Sequence, residues 1–255
     1  MTVKKLMKKF ISIGLVMVMA LSVTACGGTT GSTQSIGTVQ SASGEGSQTG
    51  TTNVQSTNSN SGSNSNSGNT QSKVLVAYFS RYENISHPND VDVVASASIS
   101  MSNNTRVGNV QYIAQQIASK TNADLFSIRT EKKYSDDYRE STVEARNEQG
   151  ANERPALSTH VNNMLDYDVI YVGFPNWWGT MPQAVFTFLE EYDMTGKTII
   201  PFCSHGGSRL GSAVRDMKSI CPNSSIVENG LAISADNAVT ASTSGEIDKW
   251  LEQIK

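Results

Sequence analysis

Three loops of this chain combine residue types suited to holding a flat, negatively charged ligand. The first opens with Ser80-Arg81, straight after an apolar run over 73–79. It resumes beyond a polar insertion (82–105) with Gly108, Asn109 and Val110 at the head of a helical stretch. Amides at a helix N-terminus, beside hydroxyl and amide side chains, suit a phosphate, although the same residues also describe an ordinary helix cap. The second loop is Pro175-Asn176-Trp177-Trp178-Gly179. Core tryptophans are usually spaced singly within a periodic pattern. Two in succession, where an apolar run breaks at a proline, offer faces for stacking, with packing over a sheet edge as the alternative. Gly179 permits φ > 0 or a close backbone approach. The third loop, Ser204-His205-Gly206-Gly207-Ser208, lets backbone amides approach a polar ring edge. His205 reads as a hydrogen-bonding or solvated side chain in preference to an acid or base.

These loops need a frame that brings them together. Continuous apolar runs at 73–79, 168–174 and 198–203 have the length and character of parallel strands buried on both faces, and weaker strands are expected at 123–130 and 225–233. Helices are expected at 108–120, 136–149, 182–192, 209–220 and 245–254, while the insertion 82–105 should form a surface flap or hairpin. Strands alternating with helices imply right-handed crossovers. The expected fold is α/β: a doubly wound, flavodoxin-like, five-stranded parallel sheet in the order 2-1-3-4-5, with helices on both faces. In that order the loops leaving strands one, three and four meet at the switch point, where such sheets bind ligands. A phosphate cradle, a stacking platform and a Gly-rich edge clamp in this order describe a site for flavin mononucleotide (FMN). Flavin supplies its own redox chemistry, so no catalytic side chain is assigned. No zinc-type Cys/His spacing appears, and Cys203 and Cys221 read as inert buried thiols.

The motifs carry a resemblance. Val74 to Arg81, Gly108-Asn109-Val110, Gly173 to Pro182, Gly196 to Phe202 and Ser204 to Ser208 closely resemble the bacterial flavodoxin-like family, in particular its branch with a long insertion before a Gly-Asn-Thr-like phosphate loop. The resemblance covers nearly all of 73–255. It implies bound FMN. Ser80, Arg81, Gly108, Asn109 and Val110 would meet the phosphate. Pro175, Asn176, Trp177, Trp178 and Gly179 would frame one side of the ring, and Ser204, His205, Gly206 and Gly207 the other. Val110 stands where the family has threonine, so one hydroxyl donor is lost at a cost of about 0.5–3 kcal/mol.

The N-terminal region bounds the setting. Lys4, Lys5, Lys8 and Lys9 precede the apolar run 10–23, a signal-peptide arrangement too short for a membrane span. Leu21-Ser22-Val23-Thr24-Ala25-Cys26 resembles the lipobox of bacterial lipoproteins, so cleavage after residue 25 would leave Cys26 carrying a lipid anchor. Residues 27–72 are almost entirely Ser, Thr, Asn, Gln and Gly with one charge, a composition that cannot bury a core, so 26–72 should form a disordered tether. The domain at 73–255 has 16 Lys and Arg against 22 Asp and Glu, net −6, a balance ill-suited to nucleic acid. The expected protein is a membrane-tethered, extracytoplasmic flavodoxin-like electron carrier whose partner is a redox protein or a membrane quinone. An FMN-dependent quinone or azo reductase is the first alternative. Its reduced nicotinamide is a cytoplasmic reagent, and no second dinucleotide fingerprint is present. A flavin-free binding module is the second alternative.

Overall fold

The apolar runs become the strands of one parallel sheet. The computed structural model describes residues 72–91 and 98–254. Its elements are β1 (Lys73–Phe79), β2 (Ile99–Ser102), β3 (Thr105–Gly108), α1 (Asn109–Thr121), β4 (Asp124–Ile128), α2 (Tyr138–Ala151), β5 (Tyr167–Pro175), α3 (Gln183–Glu191), β6 (Thr198–His205), α4 (Ala213–Ile220), β7 (Ser225–Ile226), β8 (Leu231–Ser234) and α5 (Glu246–Gln253). The expected signal segment, Cys26 and the tether up to residue 71 lie outside the described residues. Among those described, no helix is long and apolar enough to cross a membrane.

The six-stranded sheet runs β4-β1-β5-β6-β7, with β8 also paired to β6. Every pairing in it is parallel. With β7 and β8 taken as one interrupted strand, the order is the expected 2-1-3-4-5. The interruption has a local cause. β7 pairs with Thr198 and Ile199, and β8 resumes at Phe202. Between them on β6 lies Pro201, which has no N–H to give to a ladder. The single strand expected at 225–233 is therefore two short ones.

Side chains alternate between the two faces of a strand, and both faces here are covered. Val76, Tyr78, Tyr171, Ile200 and Phe202 pack with α1 and α5 through Ile113, Ile117 and Trp250. Leu75, Ala77, Phe79, Ile170, Val172 and Phe174 face α3 and α4 through Val185, Phe188 and Met217. Burial on both sides is why these strands are apolar throughout instead of alternating. α2 differs: only Ser141 and Ala145 are buried, so it is a polar helix laid over the sheet's end.

The insertion ends in a hairpin, as expected, and one further expectation changes. Asn103 and Asn104 both adopt positive φ (48° and 61°), the signs of a type I′ hairpin turn, and join antiparallel β2 and β3. α1 begins only at Asn109. The helix expected from 209 starts at Ala213, because Arg209 and Gly211 are left-handed (φ 51° and 56°). Cys203 and Cys221 are free and buried, and burial pushes their thiols up to about 12 and about 11.

Candidate functional site

The paired tryptophans occupy a tight turn at the end of β5. Trp177 N donates to Thr180 O (2.9 Å) and Thr180 N donates back to Trp177 O (3.2 Å). Trp178 and Gly179 between them have φ of 53° and 89°, the signs of a type I′ turn. Glycine takes this conformation freely. For a tryptophan it is strained, of the order of 1 kcal/mol or more. The turn sends the two rings in different directions. Trp177 makes edge contacts with Phe79 (5.4 Å between centroids) and Tyr134 (5.2 Å) and joins the core. Trp178 is 48% exposed. α2 holds it: its indole N–H donates to Thr142 O (2.9 Å), and the Arg146 guanidinium lies 4.7 Å from its centroid.

Below the turn is a cavity of about 260 Å³. Arg81, Tyr138, Ser141, Thr142, Trp177 and Trp178 line it, and Pro175, Asn176, Ser98, Ala145 and Ser204 complete the wall. Arg81 is 1% exposed. Its Nε donates to Ser141 Oγ (2.9 Å) and its Nη2 to the carbonyls of Ser135 (3.0 Å) and Asp136 (2.8 Å). These partners are neutral, and burial holds the guanidinium below its ordinary value, while nearby Asp136 opposes that shift. Among the described residues, two buried side-chain polar atoms have no hydrogen-bond partner: Arg81 Nη1 and Ser80 Oγ. They belong to adjacent residues at the end of β1, and of the two only Arg81 lines the cavity. Buried polar groups are normally paired, so two neighbouring open donors beside a cavity call for an acceptor. Gly108 accommodates the arrangement, since a Cβ there would lie 2.0 Å from Ser80 Oγ.

The other expected site residues fall into two groups. Asn176 ties the second loop to the third: its N donates to Ser204 O (2.8 Å), its Nδ2 to Arg209 O (2.7 Å), and its Oδ1 accepts from Gly179 N (3.1 Å). His205 is buried, and its Nδ1 accepts from Gly207 N (2.9 Å). That bond requires a lone pair on Nδ1 and so places the ring proton on Nε2. Gly206 stays exposed. None of Gly108, Asn109, Val110, Gly179, His205, Gly206 and Gly207 lines the cavity. At the head of α1 the amides are partly engaged. Gly108 N donates to Gln111 Oε1 (3.1 Å) and Asn109 N to Ser98 O (2.8 Å). Asn109 is fully buried, its Oδ1 accepting from Ser100 Oγ (2.7 Å). The Val110 side chain packs in the core beneath α1.

Sequence reasoning missed the α2 wall: Tyr138, Ser141 and Thr142. It also missed Asn84, whose side chain holds Ser80 in place by donating to Ser80 O (2.9 Å) and Ile128 O (3.1 Å). Small polar residues on a polar helix carry no sequence signal that marks them as cavity lining.

A clasp holds the inserted loop against the start of α2. Asp136 Oδ1 accepts from the amides of Ser86 (3.0 Å) and His87 (2.9 Å), and Oδ2 lies 2.6 Å from His87 Nδ1. The hydrogen bond to Asp136 raises His87 above its ordinary pKa. The His87 amide holds Asp136 below its own. The His87 contribution is complete below the ordinary histidine value and fades as pH rises through the raised one. The Asp136 contribution is complete above the ordinary carboxylate value and fades as pH falls through the depressed one. Both are present between about pH 4 and about pH 6.5. Amide exchange over 84–91, corrected for intrinsic rates, should be slowest in that window and speed up at alkaline pH. His87→Ala should abolish the alkaline change. An alkaline limb that persists in that variant would assign the effect to another group.

Sheet order, switch-point loops and cavity together define a flavodoxin-like α/β domain. The chain matches the flavodoxin family over residues 93–254 and belongs to it. Among solved structures, a protein from Bacteroides eggerthii assigned as a flavoprotein shares 25% identity, with 72% of this chain and 98% of that one covered and a TM-score of 0.52. A flavoprotein from Lactobacillus acidophilus in complex with FMN shares 18% identity over 71% and 99% of the two chains, with a TM-score of 0.48. No curated protein matches the chain.

Proposed function

We propose that the domain binds FMN at this site and relays electrons through it. The observation that carries the reading is the open pair of buried donors, Ser80 Oγ and Arg81 Nη1, beside a cavity walled by two tryptophans. Arg81 and Ser80 hold the phosphate by charge-assisted hydrogen bonds. The ring seats against Trp178, and the Asn176–Arg209 tie keeps the third loop at its edge. Flavin supplies the electron chemistry when bound; the chain's residues bind it, orient it and exclude water. Membership of the flavodoxin family supports FMN over other flavins. In this proposal Cys26 carries lipid, the polar tether spans 26–72, and the domain works on the extracytoplasmic face of the cell membrane. Its electrons are exchanged with a redox protein or a membrane quinone.

The test begins with the visible spectrum of the purified chain before and after FMN is added. Protein that stays colourless with excess FMN refutes the proposal. Reduced nicotinamide added without oxygen should leave the bound flavin oxidised; rapid bleaching would identify a reductase instead. Arg81→Met should weaken FMN by about 1.5–3 kcal/mol, the range for hydrogen bonds to a charged group, and leave riboflavin, which lacks the phosphate, almost unaffected. Fluorescence titration with both flavins reads the difference. An unchanged FMN-to-riboflavin ratio would place the phosphate away from Arg81.

A further inference from the structure

Trp177 touches the cavity on one side and a buried tyrosine on the other. Its ring lies 5.2 Å from that of Tyr134, edge to face, and Phe79 meets both at 5.4 and 5.9 Å. Tyr134 is 5% exposed. Its hydroxyl donates to Glu148 Oε2 at 2.9 Å. Glu148, on α2, opens into a surface cleft lined also by Glu131, Glu144, Glu153 and Lys132. The described residues thus place a tryptophan, a tyrosine and a carboxylate in unbroken contact from the cavity to solvent. Phenylalanine is far harder to oxidise, so Phe79 packs the cluster without serving as a carrier.

We propose that Trp177, Tyr134 and Glu148 form a proton-coupled exit that carries an oxidising equivalent out of the flavin cavity to the surface. The inference rests on the FMN reading, and the oxidant is the light-excited oxidised flavin ring. Trp177 gives that ring one electron, and Tyr134 refills Trp177. As Tyr134 is oxidised its O–H bond breaks and the proton crosses the existing hydrogen bond to Glu148 Oε2. One electron has then moved from the phenol to the flavin and one proton from the phenol to the carboxylate; recombination returns both. A buried tyrosine cannot shed a proton to water, so a fixed acceptor within hydrogen-bond reach is the requirement, and Glu148 meets it. Burial raises both groups above their ordinary pKa values. A raised carboxyl is the stronger proton acceptor.

Transient absorption of the FMN-loaded chain after a laser flash tests this. The wild type should show the narrow near-ultraviolet band of a neutral tyrosyl radical. Tyr134→Phe should lose that band and leave a longer-lived tryptophan radical. Glu148→Gln keeps an oxygen to accept the hydrogen bond but removes the base, so the band should be lost while circular dichroism and FMN affinity stay unchanged. A purely structural pair would leave radical formation unaffected in both variants. No tyrosyl band in the wild type, or a band that survives Tyr134→Phe, overturns the exit. A band that survives Glu148→Gln overturns the role of Glu148. A chain that takes up no FMN refutes the flavin reading itself, and the steady-state spectrum shows this before any flash.

Discussion

Trp177→Ala should destabilise the fold by about 3 kcal/mol or more, the lower end of the range for a large aromatic removed from a core, whereas Trp178→Ala should cost about 1–2 kcal/mol. The residues are neighbours, but their surroundings differ. Trp177 is only partly buried, yet it packs edge-on against Phe79 and Tyr134, and its removal leaves a gap where β1, β5 and the loop before α2 converge. Trp178 would lose one hydrogen bond and one cation–π contact. Each is worth about 0.5–1.5 kcal/mol at a partly exposed position. Alanine fits the φ of 53° no better than tryptophan does, so nothing offsets that loss, while glycine relieves the strain, so Trp178→Gly should be the more stable of the two variants. The ligand reverses the ranking. Loss of the exposed face of Trp178 should weaken flavin binding by about 1–3 kcal/mol, on the scale of base–aromatic stacking. Denaturant unfolding and flavin titration on the same proteins separate the two effects. Equal stability losses for the two alanine variants would contradict this division of labour.

Asn84→Ala should cost about 3 kcal/mol or more, although Asn84 lies in an insertion that looks dispensable. It is fully buried. Its Nδ2 donates to Ser80 O and Ile128 O, and its Oδ1 accepts from Thr130 N (2.8 Å) and Thr130 Oγ1 (3.2 Å). The side chain therefore joins the ends of β1 and β4 above the sheet. Alanine removes the side-chain partners of Ile128 O and Thr130 N and leaves Ser80 O only the Glu83 amide (3.2 Å), and each buried group left unpaired costs about 1–3 kcal/mol. Because Ser80 O loses one of its two donors, the phosphate end of the site should loosen as well, so FMN affinity should fall together with the urea midpoint. A stability loss below about 1 kcal/mol would mean that water fills the vacated place and satisfies those groups.

The parts of the fold that were legible are those where one local rule acts alone. Val74 to Phe79, Val169 to Phe174 and Thr198 to Cys203 are apolar throughout because both faces of those strands are covered, and that pattern has few other readings. A hairpin within the insertion was expected, but its strands were not placed, since they are four residues each, too short for their alternation to stand out. The late start of α4 depended on left-handed backbone at Arg209, which nothing in an arginine announces. The site divided in the same way. The Trp turn, Ser80-Arg81 and Asn176 stood out by residue type. The α2 wall did not, since Tyr138, Ser141 and Thr142 acquire meaning only when packing carries a polar helix over Arg81. Val110, marked in the sequence for its missing hydroxyl, turns out to face the core.

The proline that divides the outer strand also bears on how the molecule meets its own kind. A sheet's rim is a template for further strands wherever a run of backbone amides and carbonyls lies open. Along β6 the rim consists of pieces two and four residues long, offset by Pro201. On the opposite rim the stretch 156–159 lies beside the end of β4: Ser158 N donates to Arg129 O, Arg129 N to Thr159 Oγ1, and Thr159 Oγ1 to Ser127 O. One rim is broken and the other is partly capped. Neither presents a long flat run on which a neighbouring copy could seed a continuous cross-molecular sheet.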